Sequence, residues 1–397
     1  MQKKVGLVTC YFKHNYGSML QAYATQRALD DNNIPNETIN ISNNIDFKKG
    51  KRNYYIKQIF NYNFIYSKLG MIKLKLDKKI NKELAKNISI RGKKYDNFKK
   101  QFHLTKPYTT YQELTELCRN KYTDVIVGSD QLWLPVNVVA NYYTLNFVPA
   151  NINKISYATS FGVSTIPKKY LSLYKHFLDR LNQISVREQS GVELVKQLST
   201  NKVELVCDPT LLLSSKEWDT IVPSERIIND KYILCYFLGN NIEHRKFAER
   251  LKQFTGYKIV SLNHADEYVK YSDIFADITP YDIGPSEWIN LIKNAEYICT
   301  DSFHGTVFSL IYNKIFFTFR RYKSNTKVST NSRIYSLLSI LNLSERLLTG
   351  TENIKEVLNL KIDYNQVNQQ LTKFRNNSKK WLLNSLNYRR NNNDKEN

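Results

Sequence analysis

The stretch Val5-Gly6-Leu7-Val8-Thr9, with the turn Lys13-His14-Asn15-Tyr16-Gly17 and the segment 18–29 behind it, decides the fold class. Its first five residues form an apolar run of strand length, the turn is polar, and 18–29 carries helical composition and periodicity. A second strand is predicted near 37–41, so the chain opens as strand, loop, helix, strand, the start of a parallel βαβ unit. The pattern recurs. Asp124-Val125-Ile126-Val127 ends in Gly128-Ser129-Asp130-Gln131-Leu132-Trp133, Ile155-Ser156-Tyr157-Ala158-Thr159 in Ser160-Phe161-Gly162, and Ile184-Ser185-Val186 in Arg187-Glu188. After 203–206 and Cys207-Asp208-Pro209-Thr210, strands predicted at 232–237, 258–262 and 297–299 alternate with helices at 244–255, 286–294 and 305–312. We therefore expect an α/β chain of two doubly wound, Rossmann-like halves at 1–205 and 206–350. A helical tail at 351–397 is expected to fray beyond about Asn376, where it turns polar.

The chain's 397 residues, 42% of them hydrophobic, suffice for two cores. No apolar run reaches the about 18 residues of a membrane span, and Met1-Gln2-Lys3-Lys4 leads into a strand rather than a signal-peptide core, so a cytoplasmic protein is expected. Five scattered cysteines without C-x-x-C spacing read as small buried hydrophobes. The formal charge of +22 is concentrated in 48–100, which holds 17 Lys or Arg against three acids, Asp77, Glu83 and Asp96. Tyr54, Tyr55, Phe60, Tyr62, Phe64, Ile65 and Tyr66 interleave with these cations, as in helices that lie on anionic membranes. A solvated helical face is the plainer reading. No nucleic-acid motif accompanies the charge, so no nucleic acid is expected as a partner.

Ligands of parallel α/β sheets gather at the carboxyl ends of the strands. Those ends hold Asn15, Tyr16 and Gly17; Ser129, Asp130 and Gln131; Ser160; Arg187 and Glu188; Asp208; and Asp301, Ser302 and His304. One such residue is ordinarily a helix cap, but recurrence after nearly every strand argues for a site. Asp301-Ser302-Phe303-His304-Gly305 is the sharpest case. A helix predicted to begin at Gly305 would aim free N–H groups at an anion, beside an imidazole able to donate a hydrogen bond or move a proton. The planar fork of Arg187 suits a carboxylate or phosphate, with a surface ion pair to Glu188 as the alternative, and Arg320 and Arg321 could serve the same purpose. The helix predicted at 333–341 presents an ordinary amphipathic stripe and reads as mostly core. The chain has no P-loop, G-x-S-x-G elbow, H-E-x-x-H pair or D-x-D metal signature.

Taken in order, seven segments resemble the polysaccharide pyruvyl transferase family. They are Asn15-Tyr16-Gly17-Ser18-Met19-Leu20-Gln21-Ala22-Tyr23-Ala24, Gly128-Ser129-Asp130-Gln131-Leu132-Trp133, Ser156-Tyr157-Ala158-Thr159-Ser160-Phe161-Gly162, Ser185-Val186-Arg187-Glu188, Cys207-Asp208-Pro209-Thr210, Asp301 to Gly305, and Asn331-Ser332-Arg333-Ile334. The resemblance implies a fold like that of two-domain GT-B glycosyltransferases, with the active site in the cleft between the halves. It implies phosphoenolpyruvate as donor substrate, no metal or other cofactor, and a saccharide acceptor of a cell-surface polysaccharide, carried in some cases on a lipid. Carried over by motif, His304 would be catalytic with Asp130 or Asp301 as partner. Asn15, Tyr16, Gly17, Gln21, Ser129, Gln131, Ser160, Arg187, Ser302, Phe303 and Gly305 would bind substrate. Many members carry Arg and Leu immediately before this His, where this chain has Ser302 and Phe303, so either Arg320 or Arg321 supplies the missing cation from the next loop or the chain uses another donor. A nucleotide-sugar glycosyltransferase of the same architecture is the main alternative, and a basic membrane scaffold the third.

Overall fold

The structure, a computed structural model, describes residues 4–58, 81–262, 274–321 and 332–387. The first sheet holds six parallel strands in the order β2-β1-β3-β4-β5-β6: β1 Lys4–Val8, β2 Asn36–Thr38, β3 Tyr122–Val127, β4 Asn153–Thr159, β5 Gln183–Val186 and β6 Val203–Leu205. The second holds β7 Tyr232–Tyr236, β8 Lys258–Ser261, β9 Tyr297–Thr300, β10 Ile315–Phe319 and β11 Leu347–Leu348, in the order β11-β10-β9-β7-β8. Every residue of β4 and of β7 is buried, the pattern of parallel strands covered on both faces by helices. Strand order reverses between β1 and β3 in one sheet and between β7 and β9 in the other, and crevices open at such points.

The expected second strand stops at Thr38, because Ile39 is the last residue of that segment to bond to β1, and Asn40 already accepts from Tyr108. The helix expected from Gly305 begins two residues earlier, as Phe303–Ile311. Ser302 accounts for the difference: its hydroxyl accepts from the Gly305 N–H, which makes Ser302 the cap and draws Phe303 and His304 into the first turn.

The two halves share one continuous apolar core. Tyr16 stacks on Trp288 with ring planes 9° apart, and its hydroxyl donates to the Ile283 carbonyl at 3.0 Å. The helix Lys82–Lys99, part of the basic segment, bridges the halves. Tyr95 stacks on Tyr16, and Lys94 Nζ lies 2.6 Å from Glu287 Oε1. These contacts consume part of the expected membrane face. Tyr54 is half-buried near Tyr170, and Phe60, Tyr62, Phe64, Ile65 and Tyr66 lie outside the described residues. Among the described residues no helix is long and apolar enough to cross a membrane.

The tail does not fray at Asn376. Helix Tyr364–Asn384 buries Val367, Leu371 and Leu382. Its Ser378 hydroxyl accepts from the Cys207 N–H at 2.9 Å, and the Ser385 carbonyl just beyond it accepts from Asn153 Nδ2 at 2.8 Å. The helix is therefore a strap that returns to the first sheet.

Candidate active site

Ser302 sits in extended backbone between β9 and the helix it caps, so His304 occupies the second position of that helix. There the first N–H groups lack intrahelical partners and the helix end carries partial positive charge. His304 is buried, with Nε2 at 3.7 Å from Oδ1 of Asp208, beyond hydrogen-bond reach, and that nitrogen has no hydrogen-bond partner. The other side of the ring faces Gly17, where a Cβ would collide with Nδ1. Asp208 follows β6 and His304 follows β9, so the pair spans the two halves. At Gly305 a Cβ would strike the Thr300 hydroxyl; only glycine lets the helix lie this close to its own strand.

Arg187 is not the surface residue that a pair with Glu188 alone would suggest. Its side chain is wholly enclosed, with Nη1 at 2.5 Å from Asp208 Oδ2, Nη2 at 3.4 Å from Asp130 Oδ1 and Nε at 3.9 Å from Glu188 Oε2. Ser129 donates to Asp208 at 2.8 Å and accepts from Arg187 at 3.2 Å. Burial raises the Asp208 and Asp130 carboxyls, yet the Arg187 guanidinium, aided by His304, holds both well below the usual range. For Glu188 burial wins and its carboxyl is pushed up. One Glu188 oxygen accepts from Ser160 Oγ and the Phe161 N–H, while Oε2 has no hydrogen-bond partner.

Asp130 has φ 82°, left-handed backbone that costs a non-glycine residue of order 1 kcal/mol. Two bonds to its carboxylate help offset this, from Ser18 Oγ at 2.5 Å and from the Gln131 N–H at 2.8 Å. Ala158, at φ 53°, puts a second left-handed residue at the end of the neighbouring strand β4. Such strain gathers at functional sites.

Phe303, next to the histidine, gathers two cations near the place where the motif's own arginine is missing. The Arg187 guanidinium lies 4.7 Å from its ring centroid and that of Arg333 lies 5.6 Å away, so one ring supports two cations from different elements. Arg333 is only 6% exposed, its Nε has no hydrogen-bond partner, and burial together with the Arg187 charge lowers its pKa to about 9.

The remaining candidates divide. Gln131 contributes a buried Nε2 without a partner beside Gly162, and Gln21 donates to the Ser18 carbonyl with Oε1 unpartnered. Asn15 caps helix Tyr16–Asp30 by accepting from the Ser18 N–H, and Ser302 is likewise a cap. Tyr16 is spent on packing between the halves. Asp301 turns away from His304: its oxygens accept from the Leu238 and Gly239 N–H groups at 2.6 and 2.8 Å, with His244 Nδ1 at 3.9 Å. Arg321 stays beside Asp301, donating to its carbonyl at 2.9 Å. Arg320 is exposed over Tyr335, so it does not supply the missing cation.

Two residues outside the expected binding set join the cluster. Asp208 was legible as an Asp-Pro-Thr turn, since its carboxylate accepts from the Thr210 N–H and hydroxyl. Arg333 was hidden in an amphipathic helix. A cation in the first turn of helix Ser332–Ile340 opposes the helix dipole, and that was its signal.

The two parallel, doubly wound sheets define a GT-B-type fold. UDP-GlcNAc 2-epimerase from Neisseria meningitidis, solved with UDP-GlcNAc, has the same fold at TM-score 0.50 and 9% identity, covering 96% of this chain and 99% of that one. The UDP-GlcNAc 2-epimerase of Methanocaldococcus jannaschii gives 0.48 at 13% identity over 94% and 92%. ADP-heptose lipopolysaccharide heptosyltransferase II of E. coli gives 0.35 at 9% over 94% and 98%. No curated protein matches the sequence. The family model for polysaccharide pyruvyl transferase matches residues 15–322, most of the chain and all the loops just described except the helix that carries Arg333. The chain belongs to the polysaccharide pyruvyl transferase family and is a transferase.

Proposed function

We propose that the protein transfers a pyruvyl group from phosphoenolpyruvate to two hydroxyls of one sugar in a cell-surface polysaccharide or its lipid-linked precursor, forming a cyclic ketal. The observation that carries this reading is His304, held between Gly17 and Asp208 at a buried helix N-terminus with Nε2 unpartnered. His304 gives a proton to the methylene carbon of the enol. The first sugar hydroxyl adds to the neighbouring carbon and returns its proton to His304. The bond to phosphate then breaks, the second hydroxyl adds, and its proton leaves with phosphate.

Asp130 and Asp208, held ionised, favour the positive charge that develops at the ketal carbon. Neither is suited to deliver a proton. Departing phosphate is received by the N–H groups at the start of helix Phe303–Ile311. Asp301 is a positioning residue that ties the β7 loop to β9. No step requires a metal or a nucleotide. A lipid-linked acceptor brings the protein to a membrane surface, and helix Ile45–Ile56 suits that contact: Ile45, Lys48, Lys49, Arg52, Tyr55, Ile56 and Lys57 are all exposed on it.

The test is incubation of the purified protein with phosphoenolpyruvate and saccharides prepared from cells that make a pyruvylated polysaccharide. The expected products are an acid-labile ketal and stoichiometric phosphate, both absent with His304→Ala. A glycosidic product formed instead from a nucleotide-sugar would replace this reading with that of a GT-B glycosyltransferase.

A further inference from the structure

Arg187 lies within 4 Å of three carboxylates and makes hydrogen bonds to two of them through Nη1 and Nη2, although its Nε, like that of Arg333, has no hydrogen-bond partner. In its counter-charges Arg333 is the opposite case. It lies against the same Phe303 ring, is 6% exposed, has no carboxylate within ion-pair distance among the described residues, and leaves its Nε without a partner. A guanidinium in that position has lost most of its water and, among the described residues, has no carboxylate in contact, a cost a protein retains where a ligand supplies the charge. Burial and the neighbouring Arg187 lower its pKa to about 9, and the more distant Asp130 and Glu188 offset this only in part.

We infer that Arg333 recognises the carboxylate of the donor through its planar fork, supplying from the helix Ser332–Ile340 the cation that Ser302 and Phe303 do not provide. The inference rests on the phosphoenolpyruvate reading and deepens it. The donor has two anionic ends, and the site has two unlike receivers. Phosphate is matched by the helix N-terminus before His304, where N–H groups converge on a tetrahedral anion. A carboxylate is planar and is matched by a guanidinium presented edge-on, which an ammonium cannot imitate. The Phe303 ring, 5.6 Å from the Arg333 guanidinium, attracts that cation, so the ring takes part in donor selection.

The experiment compares wild type, Arg333→Met and Arg333→Lys in thermal melting, with phosphoenolpyruvate and inorganic phosphate as separate probes, and reads KM and kcat in the transfer assay. Unliganded melting curves establish that each variant is folded, and Arg333→Lys stands in should the Met variant not be. Phosphoenolpyruvate affinity is expected to fall at least about thirtyfold in Arg333→Met and to recover only in part in Arg333→Lys, with inorganic phosphate binding little changed in both. The loss should appear mainly as raised KM, since the carboxylate is held equally in ground and transition states. Wild type indifferent to phosphoenolpyruvate would overturn the donor reading and this inference with it. Wild type protected and Arg333→Met equally protected overturns the inference alone. Phosphate binding lost in parallel would put the phosphate on the fork and overturn the carboxylate assignment.

Discussion

Nε2 of His304 lies 3.7 Å from Oδ1 of Asp208, and this pair joins the end of a strand in one sheet to the end of a strand in the other. The imidazole thus has its orientation set by both halves at once. Asp208 is also bound by Arg187, Ser129 and Thr210, so it cannot follow His304 if the ring moves. Replacing Asp208 by Ala should leave Arg187 short of its nearest counter-charge. We expect a loss of about 3–5 kcal/mol in urea unfolding, the cost of breaking a buried pair from one side.

Gly17 tests the other wall of the imidazole. Gly17→Ala lies in a helix, where alanine is favoured by up to about 1 kcal/mol, but its methyl group occupies the place of His304 Nδ1. The expected outcome is at least about a hundredfold fall in transfer rate from a misplaced ring, with the far-ultraviolet circular dichroism of the wild type. Retained activity would mean that His304 is not held where its chemistry is done.

Stability should fall on mild acidification through His244. Burial, only partly offset by Asp301, lowers its pKa to about 4. The unfolded chain, with an ordinary imidazole near 6.5, takes up a proton in this window that the folded one refuses. The stabilisation is therefore full above pH 6.5 and is lost as pH drops toward 4, by about 2 kcal/mol at pH 5. His244→Gln should flatten urea midpoints between pH 6.5 and 5. The Asp130 and Asp208 carboxyls, both lowered, withdraw their contribution only in stronger acid, below the usual carboxylate range.

The strap makes a mechanical prediction. Leu382 is fully buried in helix Tyr364–Asn384, and Leu382→Ala should cost about 2–5 kcal/mol in the same unfolding assay. A variant ending at residue 362 should bind a hydrophobic dye, because the cover over Tyr157 and Leu211 is gone.

For the membrane contact, Lys48, Lys49, Arg52 and Lys57 changed together to Gln should weaken binding to phosphatidylserine-containing vesicles by roughly 1 kcal/mol per charge at low salt. Vesicle partitioning equal to that of wild type would remove the proposal.

Apolar strand-length runs with polar ends announced both sheets, because a parallel strand buried on two faces has little choice of composition. Ser129, Asp130, Gln131, Ser160, Arg187 and His304 could be picked out as one cluster for the related reason that loops at the carboxyl ends of parallel strands lie together. Tyr16 was misjudged, since nothing local distinguishes a tyrosine facing substrate from one stacked on Trp288, 272 positions away. Arg320 and Arg321 follow β10 equally well by pattern; only the packing of Tyr335 and the carbonyl of Asp301 separate them from the cluster. Arg333 stood in a motif segment but read as part of a core helix, because its partner ring belongs to another helix and its companion cation to another sheet.

Melting of wild type and His304→Ala with two donor candidates tests most directly which donor the site accepts. We predict that phosphoenolpyruvate raises the melting temperature of wild type saturably, as a ligand of the native state must, and that the rise is largely lost in His304→Ala. UDP-GlcNAc should leave both unchanged. Protection by UDP-GlcNAc with none by phosphoenolpyruvate would contradict the account.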